Sequence, residues 1–211
     1  MKKIASLFAA LTLGIGIQCA AFAQSIAPDA LVTGSTRGIG RGLVEAFLAR
    51  GCRAVVSGRG VEASREAASK LAERFGEDRV LGVACEVSDA AQVRALWHAA
   101  VARFGRVDVW INNAGTSHVQ RAFVELETSS VESVVQTNLL GSMLGARVAL
   151  EGMRAQEGGG AVYTMEGFGS DGASRLGMSV YGASKRAVRY FTEALVSETR
   201  GGPASACTSA G

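Results

Sequence analysis

Tyr181 and Lys185 stand four residues apart in the stretch YGASK. On a helix, residues at that spacing are neighbours on one face. A free phenol ionises near pH 10, too high for base chemistry at neutral pH. Lowering its pKa by about 3 units takes roughly 4 kcal/mol of selective stabilisation of the phenolate, at about 1.36 kcal/mol per unit. A nearby ammonium in a partly dry site is a source of that order. The pair is therefore a candidate acid–base device. Because the same spacing also occurs on solvated helices, it gains meaning only from what stands beside it.

A second chemical feature lies near the start of the chain. The apolar run ALVT (30–33) leads directly into TGSTRGIG (33–40). Gly34, Gly38 and Gly40 permit a tight turn and close backbone approach to a pyrophosphate at the N-terminus of the following helix. The spacing is G-x-x-x-G-x-G, and its position between a strand and a helix supplies the context that such a motif requires. The turn residues Gly34, Ser35, Thr36, Arg37, Gly38, Ile39 and Gly40 are the expected dinucleotide-binding segment. A NAD site would place Asp or Glu about 20 residues further on, at the end of the second strand. Ser57-Gly58-Arg59 stands there instead, with no carboxylate. Arg59 and Arg37 offer two guanidiniums that can clamp a 2′-phosphate with charge-assisted hydrogen bonds. The expected cofactor is thus NADP(H) rather than NAD(H).

The elements that must position these groups alternate. ALVT, RAVVS (53–57), RVLGVAC (79–85), VDVWIN (107–112) and the strand within GGGAVYTM read as strands. Helices are expected over about 38–50, 61–75, 89–104, 129–156 and 179–199, the fourth opened by Thr128 or Ser129 as its cap. Short apolar strands alternating with helices predict an α/β fold: a single doubly wound, Rossmann-like parallel sheet covered on both faces. No linker or internal repeat divides it.

Four motifs in order carry a family resemblance: TGSTRGIG, then NNAG (112–115) after the fourth strand, TNLLG (137–141) and YGASK. Together they resemble the short-chain dehydrogenase/reductase family from about Ala30 to Arg200. The resemblance implies an oxidoreductase that moves a hydride between NADP(H) and a small-molecule carbonyl or alcohol. It makes Tyr181 the general acid for reduction and the base for oxidation. Lys185 would hold the nicotinamide ribose and depress the tyrosine pKa, helped by the cationic oxidised nicotinamide. Asn138 would bind a water connecting the lysine to a proton relay. Asn112, Asn113, Ala114 and Gly115 would brace the sheet and border the adenosine pocket. Glu86, followed by Val87, stands where the family often has an aspartate near the adenine. A homo-oligomer through the helices 129–156 and 179–199 is also implied.

Two departures matter. The family's catalytic serine, usually 12–14 positions before the tyrosine, falls here on Gly169, Phe168 or Gly167. Ser170 is the nearest hydroxyl and would have to enter through a reshaped loop. The wording MEGFGSDG resembles a subgroup that includes plant chlorophyll b reductases. After ETRGGPASACTSAG the chain stops, whereas family members continue with further strands and a substrate-covering loop. The expectation is a C-terminally shortened sheet in which Pro203 and the small residues after it form no convincing strand. A cofactor-binding or structural relative without turnover is the alternative that these departures raise.

The 211 residues carry a formal charge of +3 and no Lys/Arg run, which speaks against nucleic acid as a partner. The four cysteines show no metal-ligand spacing and are expected to be reduced and structural. Residues 1–23 read as a secretory signal peptide or N-terminal anchor: Lys2 and Lys3, an apolar run, then Ala21-Phe22-Ala23. The domain proper is then 24–211. Export is expected if that leader functions, membrane attachment only if it stays uncleaved, and a cytoplasmic place if translation starts downstream.

Overall fold

Strand residues that are apolar on both faces need cover on both sides, and the chain supplies it by alternation. The computed structural model describes residues 27–208, so the expected leader lies outside them. In order come β1 (Ala30–Val32), α1 (Gly38–Ala49), β2 (Ala54–Gly58), α2 (Val61–Phe75), β3 (Val80–Ala84), α3 (Ala90–Phe104) and β4 (Val109–Asn112). They are followed by α4 (Thr128–Val135), a π-helical turn (Gln136–Leu140), α5 (Gly141–Ala155), β5 (Gly160–Thr164), α6 (Ser179–Thr199) and β6 (Ala204–Thr208). The strands pair in parallel in the order β3-β2-β1-β4-β5-β6. This is the expected doubly wound α/β sheet.

Strand alternation sorts the core into two layers. Leu31, Val55, Trp110 and Val162 face Leu96, Trp97 and Phe104 of α3 and Ala149 and Met153 of α5. Phe191 and Leu195 of α6 pack on the same side. Ala30, Val32, Val56 and Ile111 face Leu43, Phe47 and Leu48 of α1 and Leu71 of α2. The order reverses direction between β1 and β4, and open sheets of this kind bind ligands beyond the carboxyl ends of the strands at that point. The glycine turn follows β1, Arg59 follows β2, NNAG closes β4 and Glu166 follows β5. Every motif selected from the sequence, TNLLG and YGASK apart, sits on that one edge.

Three expectations are corrected. Residues after Pro203 do form a strand: β6 pairs with β5 from Gly160↔Ala204 to Thr164↔Thr208, and Gly160 N–H donates to the Pro203 carbonyl at 3.2 Å. β6 rather than β5 is therefore the edge of the described sheet. The helical region 129–156 is not one regular helix, because the π-helical turn separates α4 from α5. Its cap is Glu127, whose side chain makes no capping bond, rather than Thr128 or Ser129.

Candidate active site

The glycine turn is shaped by contacts that exclude side chains. Gly34 has φ +63°, and a Cβ there would lie 2.7 Å from the Ala114 Cα, so β1 and β4 end in backbone contact. Gly38, also at positive φ, opens α1 and has nothing within 4 Å of its missing Cβ. No side chain caps the first turn of α1 and no acid lies in it. The positive end of its dipole thus has no side-chain partner, and Arg37 to Ile39 are exposed there, which suits a phosphate. The cradle fits a dinucleotide.

Around this cradle the expected residues divide into lining and scaffold. Arg37, Gly38, Ile39 and Arg59 are exposed at its rim. A Cβ at Gly58 would meet the Thr36 side chain at 2.8 Å, so the two arginine-bearing turns are in contact. Ser35 is fully buried: its hydroxyl donates to the Val32 carbonyl at 2.6 Å and accepts from Ser57 N–H at 2.9 Å. It ties β1 to β2. Asn113 donates from Nδ2 to the Thr33 and Gly34 carbonyls at 2.8 and 3.1 Å. Ala114 N–H donates to Thr33 Oγ1 at 3.1 Å. Asn112 is buried too, accepting from Trp110 Nε1 at 2.8 Å. Glu86 folds back on its own loop, accepting from the Ser88 hydroxyl at 3.1 Å, and Val87 is buried against Gly141.

The π-helical turn has a role in this geometry. It widens the helix at Asn138, and such one-residue widenings cluster at functional sites. Asn138 is fully buried; its Oδ1 accepts from Thr116 N–H at 2.8 Å. Its Nδ2 donates to the Thr116 carbonyl and to Ser184 Oγ, each at 3.0 Å. Ser184 in turn donates to the Tyr181 carbonyl at 2.7 Å. One amide thus fastens the loop after β4 to the helix that carries Tyr181. Its side-chain hydrogen-bonding groups are engaged with protein, and its carbonyl accepts from Ser142 Oγ at 2.7 Å.

Tyr181 and Lys185 share one face of α6, with Lys185 Nζ 6.0 Å from the Tyr181 ring centre. Lys185 is 6% exposed, and its Nζ donates to the Met165 carbonyl at 3.0 Å. Burial pushes the Tyr181 phenol above its ordinary value of 10.0. Burial likewise pulls Lys185 below 10.5, opposed by the Glu166 carboxylate. Burial is the influence on the phenol in the protein alone, and the ammonium of Lys185 is engaged with a backbone carbonyl.

Of the three candidate serine positions, Gly167 faces the chemistry. A Cβ there would lie 2.6 Å from Tyr181 Oη and 3.2 Å from Lys185 Cε. The phenol occupies the space a side chain would take. Ser170 is buried, its carbonyl accepting from Arg186 Nη1 at 2.9 Å, while neighbouring Gly169 abuts Gly182. One further residue emerges only in three dimensions. His118, whose Nδ1 donates to the Val119 carbonyl at 2.8 Å, accepts from Tyr181 N–H through Nε2 at 3.3 Å. The Glu166 side chain is 7% exposed, 3.7 Å from Arg189. His118 lies three residues past NNAG and is one of two histidines in the chain, which was the available signal.

A separate apolar groove of about 670 Å³ runs between α4 and α6, lined by Phe123, Val135, Leu139, Val180, Ala183 and Ala187. It is on the flank of α6 away from the phenol. Among the described residues no helix is long and apolar enough to cross a membrane, and no group of three or more His, Cys, Asp or Glu is placed to hold a metal ion.

A glycine turn at a helix N-terminus, a Tyr–Lys pair and a switch point between β1 and β4 coincide with a sequence match: the short chain dehydrogenase family model covers residues 29–202. The chain belongs to the short chain dehydrogenase family. Within it, the chain is 37% identical over 171 residues to chlorophyll(ide) b reductase NOL, chloroplastic, of Oryza sativa subsp. japonica, covering 81% of this chain and 50% of that relative. Its Arabidopsis thaliana namesake is 38% identical over 169 residues, with 80% and 48% covered. The chain spans about half the length of these curated relatives. A short chain dehydrogenase/reductase from Burkholderia phymatum, solved in complex with NAD, superposes with a TM-score of 0.80 at 30% identity, over 86% of this chain and 64% of that one.

Proposed function

We propose that this oxidoreductase reduces a carbonyl compound with NADPH, with Tyr181 as the proton donor. The observation that carries the proposal is the approach of the Tyr181 hydroxyl to Gly167, with buried Lys185 one turn behind it on the same helix face. The turn from Gly34 to Gly40 would hold the pyrophosphate. Arg37 and Arg59 would hold the 2′-phosphate, and Lys185 with Tyr181 would hold the nicotinamide ribose. Glu86, Val87 and Asn113 to Gly115 would border the adenosine. When bound, NADPH supplies the hydride.

Tyr181 then gives its proton to the carbonyl oxygen, and in the reverse direction takes one from the alcohol. A phenol is already protonated at neutral pH at its ordinary value, the form that a reduction needs, and burial acts in the same direction. Gly167 lies against the phenol, so the substrate oxygen would meet Tyr181 without a serine hydroxyl from that position, and Ser170 would have to supply one from further along the loop. The relatives' name, chlorophyll(ide) b reductase, supports reduction as the working direction and puts chlorophyllide b first among substrates to try.

The test is NADPH consumption by the full chain with chlorophyllide b and a panel of aldehydes and ketones, with NADH as control. Tyr181→Phe should lower the rate by about 10²–10⁴-fold. A Tyr181→Phe variant that keeps its rate would refute the assignment.

A further inference from the structure

The first four N–H groups of a helix have no partner within it. In α6, Gly182 N–H donates to the Met178 carbonyl at 2.9 Å, so Tyr181 N–H is the last of the four that must look outside. Met178 offers no side-chain cap, and the first turn carries no acid. The acceptor comes from the loop after β4, where His118 Nε2 takes the Tyr181 N–H at 3.3 Å.

Each ring nitrogen of His118 faces a group with one possible role. Nδ1 lies 2.8 Å from the Val119 carbonyl, which can only accept, so Nδ1 carries the proton. Nε2 lies against an N–H, which can only donate, so Nε2 presents its lone pair. The two contacts together fix the neutral Nδ1–H tautomer. The ring is half-buried, and its loop is pinned on either side of it. Asn138 binds the Thr116 N–H and carbonyl at 2.8 and 3.0 Å. Further on, Gln120 Nε2 donates to the Leu176 carbonyl at 2.9 Å, and Arg121 N–H to the Gly177 carbonyl at 3.3 Å.

An imidazolium has a donor on both nitrogens. Its Nε2–H would oppose the Tyr181 N–H, and its charge would stand at the positive end of the α6 dipole. The titratable and charged groups on the surrounding elements are Arg121, Glu125 and Glu127 on its own loop, Tyr181, Lys185 and Arg186 on α6, and Glu166, Asp171 and Arg175 between β5 and α6.

Resting on the reading of Tyr181 as proton donor, we propose that neutral His118 is a positioning residue for the reductase site, capping α6 at the backbone of Tyr181 and releasing it when the imidazole gains a proton. It acts through the backbone of the tyrosine and not through its hydroxyl.

The full chain is followed from about pH 8 to about pH 5, the range in which histidines change charge. Ring and backbone ¹⁵N resonances are recorded on the cofactor-free protein. The chain has two histidines, His98 and His118, so His98→Gln leaves one ring to observe. At the alkaline end that ring should carry its proton on Nδ1, and the Tyr181 amide should shift with the same midpoint as the ring. A proton on Nε2, or an amide that ignores the ring, overturns the proposal even if no His118 variant folds. NADPH consumption is measured alongside with chlorophyllide b and the carbonyl panel. His118→Phe keeps a ring without an acceptor and should lower kcat by about ten- to a hundredfold, with KM for NADPH changed by less than about twofold. His118→Gln supplies a carbonyl oxygen that gains no proton; it should recover most of the rate at the alkaline end and lose the parent's decline toward acid. An equal decline in H118Q overturns the proposal. Turnover surviving in Tyr181→Phe would remove the underlying reading and this proposal with it. A silent Y181F beside a fully active H118F would remove this proposal alone.

Discussion

Giving the chain a serine at position 167 should slow it. The backbone at Gly167 is not left-handed, so the effect of Gly167→Ser is steric. The new Cβ would fall 2.6 Å from Tyr181 Oη and 3.2 Å from Lys185 Cε, closer than such atoms approach without something moving. Both neighbours are far along flexible side chains, so the phenol and the lysine give way and the backbone does not. Overpacking of this kind costs about 1–3 kcal/mol. Displacing a proton donor by as much as ~1 Å can cost on the order of 10²-fold in rate. The expected result is therefore a kcat/KM lower by about ten- to a hundredfold, with a thermal midpoint several degrees lower. NADPH absorbance and calorimetry read the two quantities. Gly167→Ala brings the same Cβ without the hydroxyl and should lose a similar amount. A serine variant as fast as the parent, beside a slow alanine variant, would refute the reasoning, since the hydroxyl would then contribute what the site is argued to do without.

Arg37→Ala and Arg59→Ala should each weaken NADPH binding by about tenfold or more, the worth of a charge-assisted hydrogen bond, and leave NADH binding unchanged; fluorescence titration with both cofactors checks this. Asn138→Ala removes three side-chain hydrogen bonds of a buried amide and should destabilise the fold by about 3 kcal/mol in a denaturant titration. Phenolate absorbance compared between the parent and Tyr181→Phe should show Tyr181 ionising above 10.0 in the cofactor-free protein. A folded pKa raised in this way means that the stability due to the protonated phenol is present below the ordinary value and is lost as pH rises through the folded one.

Much of this was legible because local signals were sharp. Gly60 and Gly76 bracket α2, and its limits could be read to the residue. Asp89 caps α3 by accepting from Ala91 and Gln92 N–H, and Gly105 ends that helix in the left-handed conformation. The glycine turn and YGASK were readable as chemistry because their residue types have few other uses at that spacing. What escaped depends on distant partners. Ala204–Thr208 has no apolar alternation and becomes a strand by pairing with β5. The π-helical turn keeps helical composition throughout, so no residue in Gln136–Leu140 announces it. His118 reaches Tyr181 across 63 positions, and which of three residues faces the phenol was decided by the path of the loop.

The widened turn at Asn138 also stores one residue of slack between two helical segments. An α-helix advances about 100° per residue. A π-helical turn advances less per residue, so the turn at 136–140 takes up one residue more without changing the phase between α4 and α5. Removing that residue would return the rod to regular α-helix and leave Ala146, Ala149, Leu150 and Met153 in the layer against Trp97 and Trp110. What it would withdraw is the bulge that carries Asn138 to Thr116 and Ser184. A deletion there thus spares the core and unfastens the site.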